Sequence, residues 1–290
     1  MLEPFQYDFF VRGLIAATVV GALCGLVGVY IVLRRMSYIG HGLSHAVFGG
    51  AVVSYVMSFN FYVGASVWGF LSALLINATT RRRPMIGADA AIGIITTASF
   101  ALGVALISRY RTFTRSFDAA LFGNILGVSE RDLVAIAAVT AGAAAIIFLI
   151  YKQLLFVTFD PEVARFYGVR TEWIDTLFSI MLAGTVVVSM QVLGVTLIAA
   201  AIVIPPIVAR LLTDSFHRVV GLSTAIGAFC GVGGVYMSYY IDVSSGASVV
   251  LLAAALFVAA MTYTSVRGRA GARAARTRGV AIARDTGVFE

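Results

Sequence analysis

The chain has 290 residues, of which 60% are hydrophobic and only 12% charged, with a formal net charge of +7. A soluble domain carries about twice that charge fraction, and a membrane β-barrel would show short alternating segments, so this composition describes an all-α, polytopic helical membrane protein. Every basic residue but Lys152 is arginine, a balance that in such a chain marks cytoplasmic ends rather than a nucleic-acid surface.

The N-terminal stretch MLEPFQYDFF contains Glu3 and Asp8 and no basic region, unlike a cleaved signal peptide. Hydropathy then predicts spans over Phe10–Leu33, Tyr38–Ser58, Phe61–Thr80, Met85–Ser108, Leu133–Tyr151, Trp173–Met190, Val192–Leu212, Val219–Tyr240 and Ala247–Val266. The pair meeting at Gln191 can be read as one broken unit, so eight to nine transmembrane helices are expected. Residues 1–266 form one transmembrane domain, and 267–290 form an arginine-rich tail. Cys24 and Cys230 both fall inside spans and read as small core residues.

In the nine-span reading, Arg34–Arg35, Arg81–Arg83, Lys152, Arg165, Arg170, Arg210, Arg218 and the tail share one side, which should be cytoplasmic. The N-terminus is then outside. The basic segment Arg109–Asp118 falls on the other side and reads as an interfacial helix or as a miscount by one span. The tail has six arginines among glycines and alanines. It is expected to be disordered and to meet anionic lipid headgroups.

The first unusual span opens RRMSYIGHGLSHAVFGG, which contains two of the chain's three histidines. At 100° per residue Ser37, His41, Ser44, His45 and Phe48 share one arc of a helix. Gly42, Ala46 and Gly49 form the adjacent arc, where a neighbouring helix can approach closely. If the membrane begins near Arg35, His45 lies roughly 15 Å deep, close to the midplane. Ionisable groups at that depth face an interior or a wet path. Histidines at i and i+4 can chelate one metal; they can also bond neighbouring helices or relay protons. Gly42 stands where a zinc protease would need its glutamate, which argues against a protease.

Three further stretches stand out. Asp89 begins a span after Gly87, either as a charge favourable to the helix N-terminus or as a pathway or gating group. TFDPEVARFYGVRTEW is a polar island between spans: Asp160 can cap a helix there, Pro161 suits its first position and Gly168 can end it. With Glu162 and Arg165 it reads either as a cytoplasmic docking element, the only sizeable one before the tail, or as an inert amphipathic connector. Pro205 and Pro206 fall inside a span and should kink or break its helix. No Gly-x-x-x-x-Gly-Lys-(Ser/Thr) sequence is present, so the chain lacks a P-loop for ATP and any energy must come from a partner.

Five stretches in order resemble one family, the integral-membrane permease subunits of ABC importers for manganese, zinc and iron(II), over roughly residues 5–265. They are RRMSYIGHGLSHAVFGG, ADAAIGIITT, FDPEVARFYGV, VSMQVLGVTLIAAAIVIPPIVARLL and YYIDVSSGASVVLL. The resemblance implies the ABC importer permease fold in a bacterial cytoplasmic membrane and a subunit that is not itself an enzyme. It implies a central path between two copies of the chain. It also implies a dimer of separate ATPases that grips a coupling helix at about 159–170 through Asp160, Glu162, Arg165 and Gly168, and an extracytoplasmic metal-binding protein. His41 and His45 then correspond to the family's path-lining, metal-holding Asp and His, with Ser37, Ser44 and Asp89 as further pathway candidates. The departure is His41, where the family usually has aspartate. Imidazole in place of carboxylate tilts the expected cargo from manganese slightly toward zinc. The alternatives are a standalone cation channel or secondary transporter, or an ABC permease for a metal chelate such as a siderophore.

Overall fold

The computed structural model describes residues 3–82, 85, 87–110 and 121–285, with side chains described up to Arg267 apart from Arg82. The described chain is helical. Its main elements are α1 (Asp8–Leu33), α2 (Ser37–Val56), α3 (Phe61–Arg82), α4 (Ala88–Tyr110) and α5 (Glu130–Leu149). They are followed by α6 (Tyr151–Phe159), α7 (Pro161–Phe166), α8 (Thr171–Leu193), α9 (Ile198–Leu212), α10 (Phe216–Ile241) and α11 (Ser245–Asp285). Short 3₁₀ turns cover Glu3–Gln6 and Ile125–Gly127.

Among the described residues, seven helices are long and apolar enough to cross a membrane: α1, α3, α4, α5, α8, α10 and α11. Helix α2 runs unbroken for 20 residues with two histidines in its apolar sequence, and α9 is a shorter apolar helix of 15 residues. With these two the bundle reaches the expected count. Helix α11 continues to Asp285, so its backbone stays helical through much of a segment expected to lack regular structure. The basic segment Arg109–Asp118 falls outside the described residues beyond Tyr110.

Helix α1 is the spine of the bundle, and its packing follows from glycine. A Cβ on Gly21 would stand 2.2 Å from the Gly227 carbonyl oxygen, and one on Gly25 would stand 2.4 Å from that of Ser223. Gly231 meets the Ala17 carbonyl in the same way, at 2.3 Å. Helices α1 and α10 therefore cross antiparallel at backbone contact, and the Ser223 hydroxyl donates to the Gly25 carbonyl at 2.6 Å. In lipid such close packing and interhelical hydrogen bonding replace the hydrophobic drive that water would supply.

The chain breaks at Gly194, where φ is +77°, three residues past Gln191. Gly194 lies against Gly123, also at positive φ, and a Cβ on either would meet the other loop's backbone at 2.3 Å. Asn124 and Thr196 fasten the two loops through backbone bonds to Gln191 and Leu121. Helix α9 does not break at Pro205 and Pro206, but runs through both. Pro206 leaves the Ile202 carbonyl without its helical donor. That oxygen faces Gly28 of α1, where a Cβ would stand 2.0 Å away.

Candidate metal path and coupling segment

Helix α2 presents the two histidines as one unit. The His41 and His45 rings lie edge to face with centroids 4.7 Å apart, and His45 meets the Phe100 ring of α4 at 4.8 Å in the same geometry. Tyr38 lies 5.7 Å from His41 on the other side. Both histidines are half-buried. The His45 Nδ1 is buried and makes no hydrogen bond within the protein. A metal bound at about 2.0–2.1 Å by each of two imidazoles needs their nitrogens within about 4.2 Å of one another.

The second arc of α2 behaves as expected. A Cβ on Gly49 would stand 2.3 Å from the Ser99 carbonyl oxygen, and one on Gly42 would stand 2.4 Å from the Ile92 Cγ2. The order of these contacts makes α2 and α4 run parallel, pressed together beside the histidines.

The remaining pathway candidates separate. Ser44 is fully buried, and its hydroxyl donates to the His41 carbonyl at 2.7 Å, so it is occupied by its own helix. Ser37 is half-buried at the start of α2. Asp89 is exposed in the first turn of α4. It shares a helix face with Gly93, Thr96 and Phe100, but eleven residues place it roughly 16 Å from the level of Phe100. Among the described residues, no group of three or more His, Cys, Asp or Glu is placed to hold a metal ion. One chain therefore supplies two imidazoles, and Asp89 is not brought to them.

The polar island folds as its sequence predicts. The Asp160 side chain accepts a hydrogen bond from the Val163 amide at 2.9 Å, Pro161 occupies the first turn, and Gly168 takes φ +81°. Arg165 Nε donates to the Pro161 carbonyl at 3.2 Å, and Glu162 is exposed. The island also exposes large apolar groups: Phe159 by 63%, Phe166 by 87% and Tyr167 by 72%. Beside it, Arg81 pairs with Glu172, and an open cavity of about 680 Å³ lies between α3, α7 and α8.

Sequence reasoning missed the partner of Arg34. It served there as a marker of the cytoplasmic end, yet its side chain turns inward and is 9% exposed. Nη1 donates to Asp175 Oδ1 at 2.8 Å, Nε donates to Thr158 Oγ1 at 3.1 Å, and the guanidinium lies 4.6 Å over the Phe178 ring. Burial draws the Arg34 pKa below its ordinary value, and Asp175 opposes that shift. The available signal was Asp175 itself, an acid at the edge of an apolar run and in need of a partner. His217 is exposed, with Nε2 3.0 Å from the Tyr151 hydroxyl.

The model of the ABC 3 transport family matches residues 6–264. The manganese transport system membrane protein MntC of Halalkalibacterium halodurans is 36% identical over 266 residues, covering 92% of this chain and 91% of that protein. The chelated iron transport system membrane protein YfeC of Yersinia pestis is 34% identical, covering 92% and 90%. Among solved structures, PsaBC from Streptococcus pneumoniae in complex with Fab superposes with a TM-score of 0.81 at 35% identity, covering 89% of this chain and 93% of the other.

Proposed function

Because the chain belongs to the ABC 3 transport family, we propose that it is the multi-pass permease subunit of a bacterial ABC importer that moves a divalent transition metal inward. It is a translocation subunit and not an enzyme; a separate cytoplasmic ATPase hydrolyses ATP. Relatives named for manganese and for chelated iron support a cargo among first-row metals.

The observation that carries the finer reading is the edge-to-face pair His41 and His45, with a buried His45 nitrogen that makes no hydrogen bond within the protein. Two imidazoles are half of a tetrahedral site. A second copy of the chain, related by a two-fold axis, supplies the other half and makes the pair a constriction on a shared path. The cargo is manganese or zinc. Imidazole accepts both and holds zinc more tightly, because it is a softer ligand than the carboxylate the family usually carries at position 41. The capped α7, with its exposed Phe166 and Tyr167, is the surface that the ATPase grips. An extracytoplasmic binding protein delivers the metal to the opposite face.

The test is metal uptake into proteoliposomes by the permease assembled with its ATPase and binding protein, compared across manganese, zinc and iron. His45→Ala should abolish uptake of every metal, and His41→Ala should weaken it. Uptake unchanged in both variants would remove the histidines from the path. Uptake without any ATPase would make the protein a channel or secondary transporter. Manganese carried with no zinc at all would remove the preference assigned to His41.

A further inference from the structure

The Arg34 contacts join three parts of the molecule that lie far apart in sequence. Arg34 caps the end of α1, Arg35 takes a left-handed φ of 56°, and α2 begins at Ser37. The arginine therefore sits in the hinge that leads directly into the histidine-bearing helix. Its Nε is held by Thr158 of α6 and its Nη1 by Asp175 of α8. Thr158 is fixed in turn, since its hydroxyl donates to the Leu154 carbonyl at 2.6 Å and leaves a lone pair for the arginine.

Thr158 stands two residues before Asp160, which ends α6 and caps α7. One residue joining two helices lets them move as a piece. On its far side Asp175 lines the open cavity together with Pro161, Arg165 and Arg81. The segment carrying α7 thus has space on one face and Arg34 on the other. The planar guanidinium spans both partners at once with fixed geometry, which a flexible ammonium cannot do.

We infer that Arg34 is a positioning residue that transmits movement of the α6–α7 segment to α2, so that displacement of α7 resets the position of His41 and His45. The inference rests on the permease reading above and names the route by which ATP hydrolysis reaches the metal path. It also accounts for the cost of burying an ion pair and a guanidinium at this junction, where an apolar contact would hold two static helices equally well.

The experiment uses the full importer in proteoliposomes and reads metal delivered per ATP hydrolysed. The informative variant is Thr158→Val, which keeps the branched shape and removes the hydroxyl that accepts from Arg34, along with its local bond to the Leu154 carbonyl. Arg34→Lys keeps the charge and loses the two-pronged geometry. Both should hydrolyse ATP while metal delivered per ATP falls roughly five- to tenfold, the low end of the range typical of a lost coupling between sites. If both retain the wild-type ratio, the inference is wrong. If Thr158→Val fails to assemble with the ATPase, the contact is structural and the inference is equally overturned. If the unsubstituted complex shows no ATP-dependent uptake, it is the permease reading that fails.

Discussion

Gly49→Ala probes the contact that fixes the histidine helix against α4. The new Cβ would stand 2.3 Å from the Ser99 carbonyl oxygen and 2.9 Å from its carbon, well inside the 3.4 Å at which ordinary contact begins. A backbone carbonyl cannot rotate away, so α2 and α4 must part by about 1 Å, and overpacking of this kind costs about 1–3 kcal/mol. Alanine also gains about 1 kcal/mol of helix propensity over glycine. Gly40→Ala on the same helix gains that propensity without the clash, because its Cβ would meet only the Ile202 side chain, at 3.6 Å and 3.9 Å. The difference between the two variants isolates the steric cost. Unfolding of the purified protein by SDS titration in mixed micelles, followed by the fluorescence of Trp68 and Trp173, should place Gly49→Ala about 1–3 kcal/mol below Gly40→Ala. His45 lies one turn from Gly49 and touches Phe100, the residue after Ser99. Uptake by Gly49→Ala should therefore fall further than its loss of stability accounts for. Equal stability of the two variants would refute the backbone contact and the role assigned to it.

Three other expectations follow from separate parts of the molecule. His41→Asp replaces imidazole with a hard oxygen ligand and should raise the manganese-to-zinc uptake ratio by about tenfold, equivalent to ~1.4 kcal/mol of differential affinity; an unchanged ratio would show that residue 41 does not meet the metal. Asp160→Ala removes a cap worth about 0.5–2 kcal/mol, and Gly168→Ala strains a left-handed residue by about 1–2 kcal/mol. Both should speed proteolysis within α7 and weaken co-purification of the ATPase, each measurable on gels. Cys24 and Cys230 are free and buried. Neither should react with a maleimide in the folded protein, and both should react after unfolding in SDS, as read by mass spectrometry.

Much of this architecture is local and therefore legible in the chain. Apolar runs announce the spans because lipid offers backbone groups no other hydrogen-bond partner. The 3.6-residue period puts His41 and His45 on one face and Gly42 and Gly49 on the next, and both faces are used that way. Asp160, Pro161 and Gly168 bound α7 because capping depends on residues only a few positions apart.

What depends on distant partners could not be read in this way. The two prolines of α9 suggested a kink or a break; the helix continues through both, as it can where its neighbour leaves room for the released carbonyl, and Gly28 of α1 does so. A break near Gln191 was legible, but its place at Gly194 is set by the loop around Gly123, remote in sequence, which meets it at backbone distance. Asp89 carries the charge expected of a path residue, yet the parallel packing of α2 and α4 sets it at about the level of Ser37, turns away from His45. Arg34 looked like one of many cytoplasmic arginines. Its partners Thr158 and Asp175 lie 124 and 141 residues away. Helix periodicity and charge bias report on one turn or one boundary at a time, and only the folded bundle determines which turns meet.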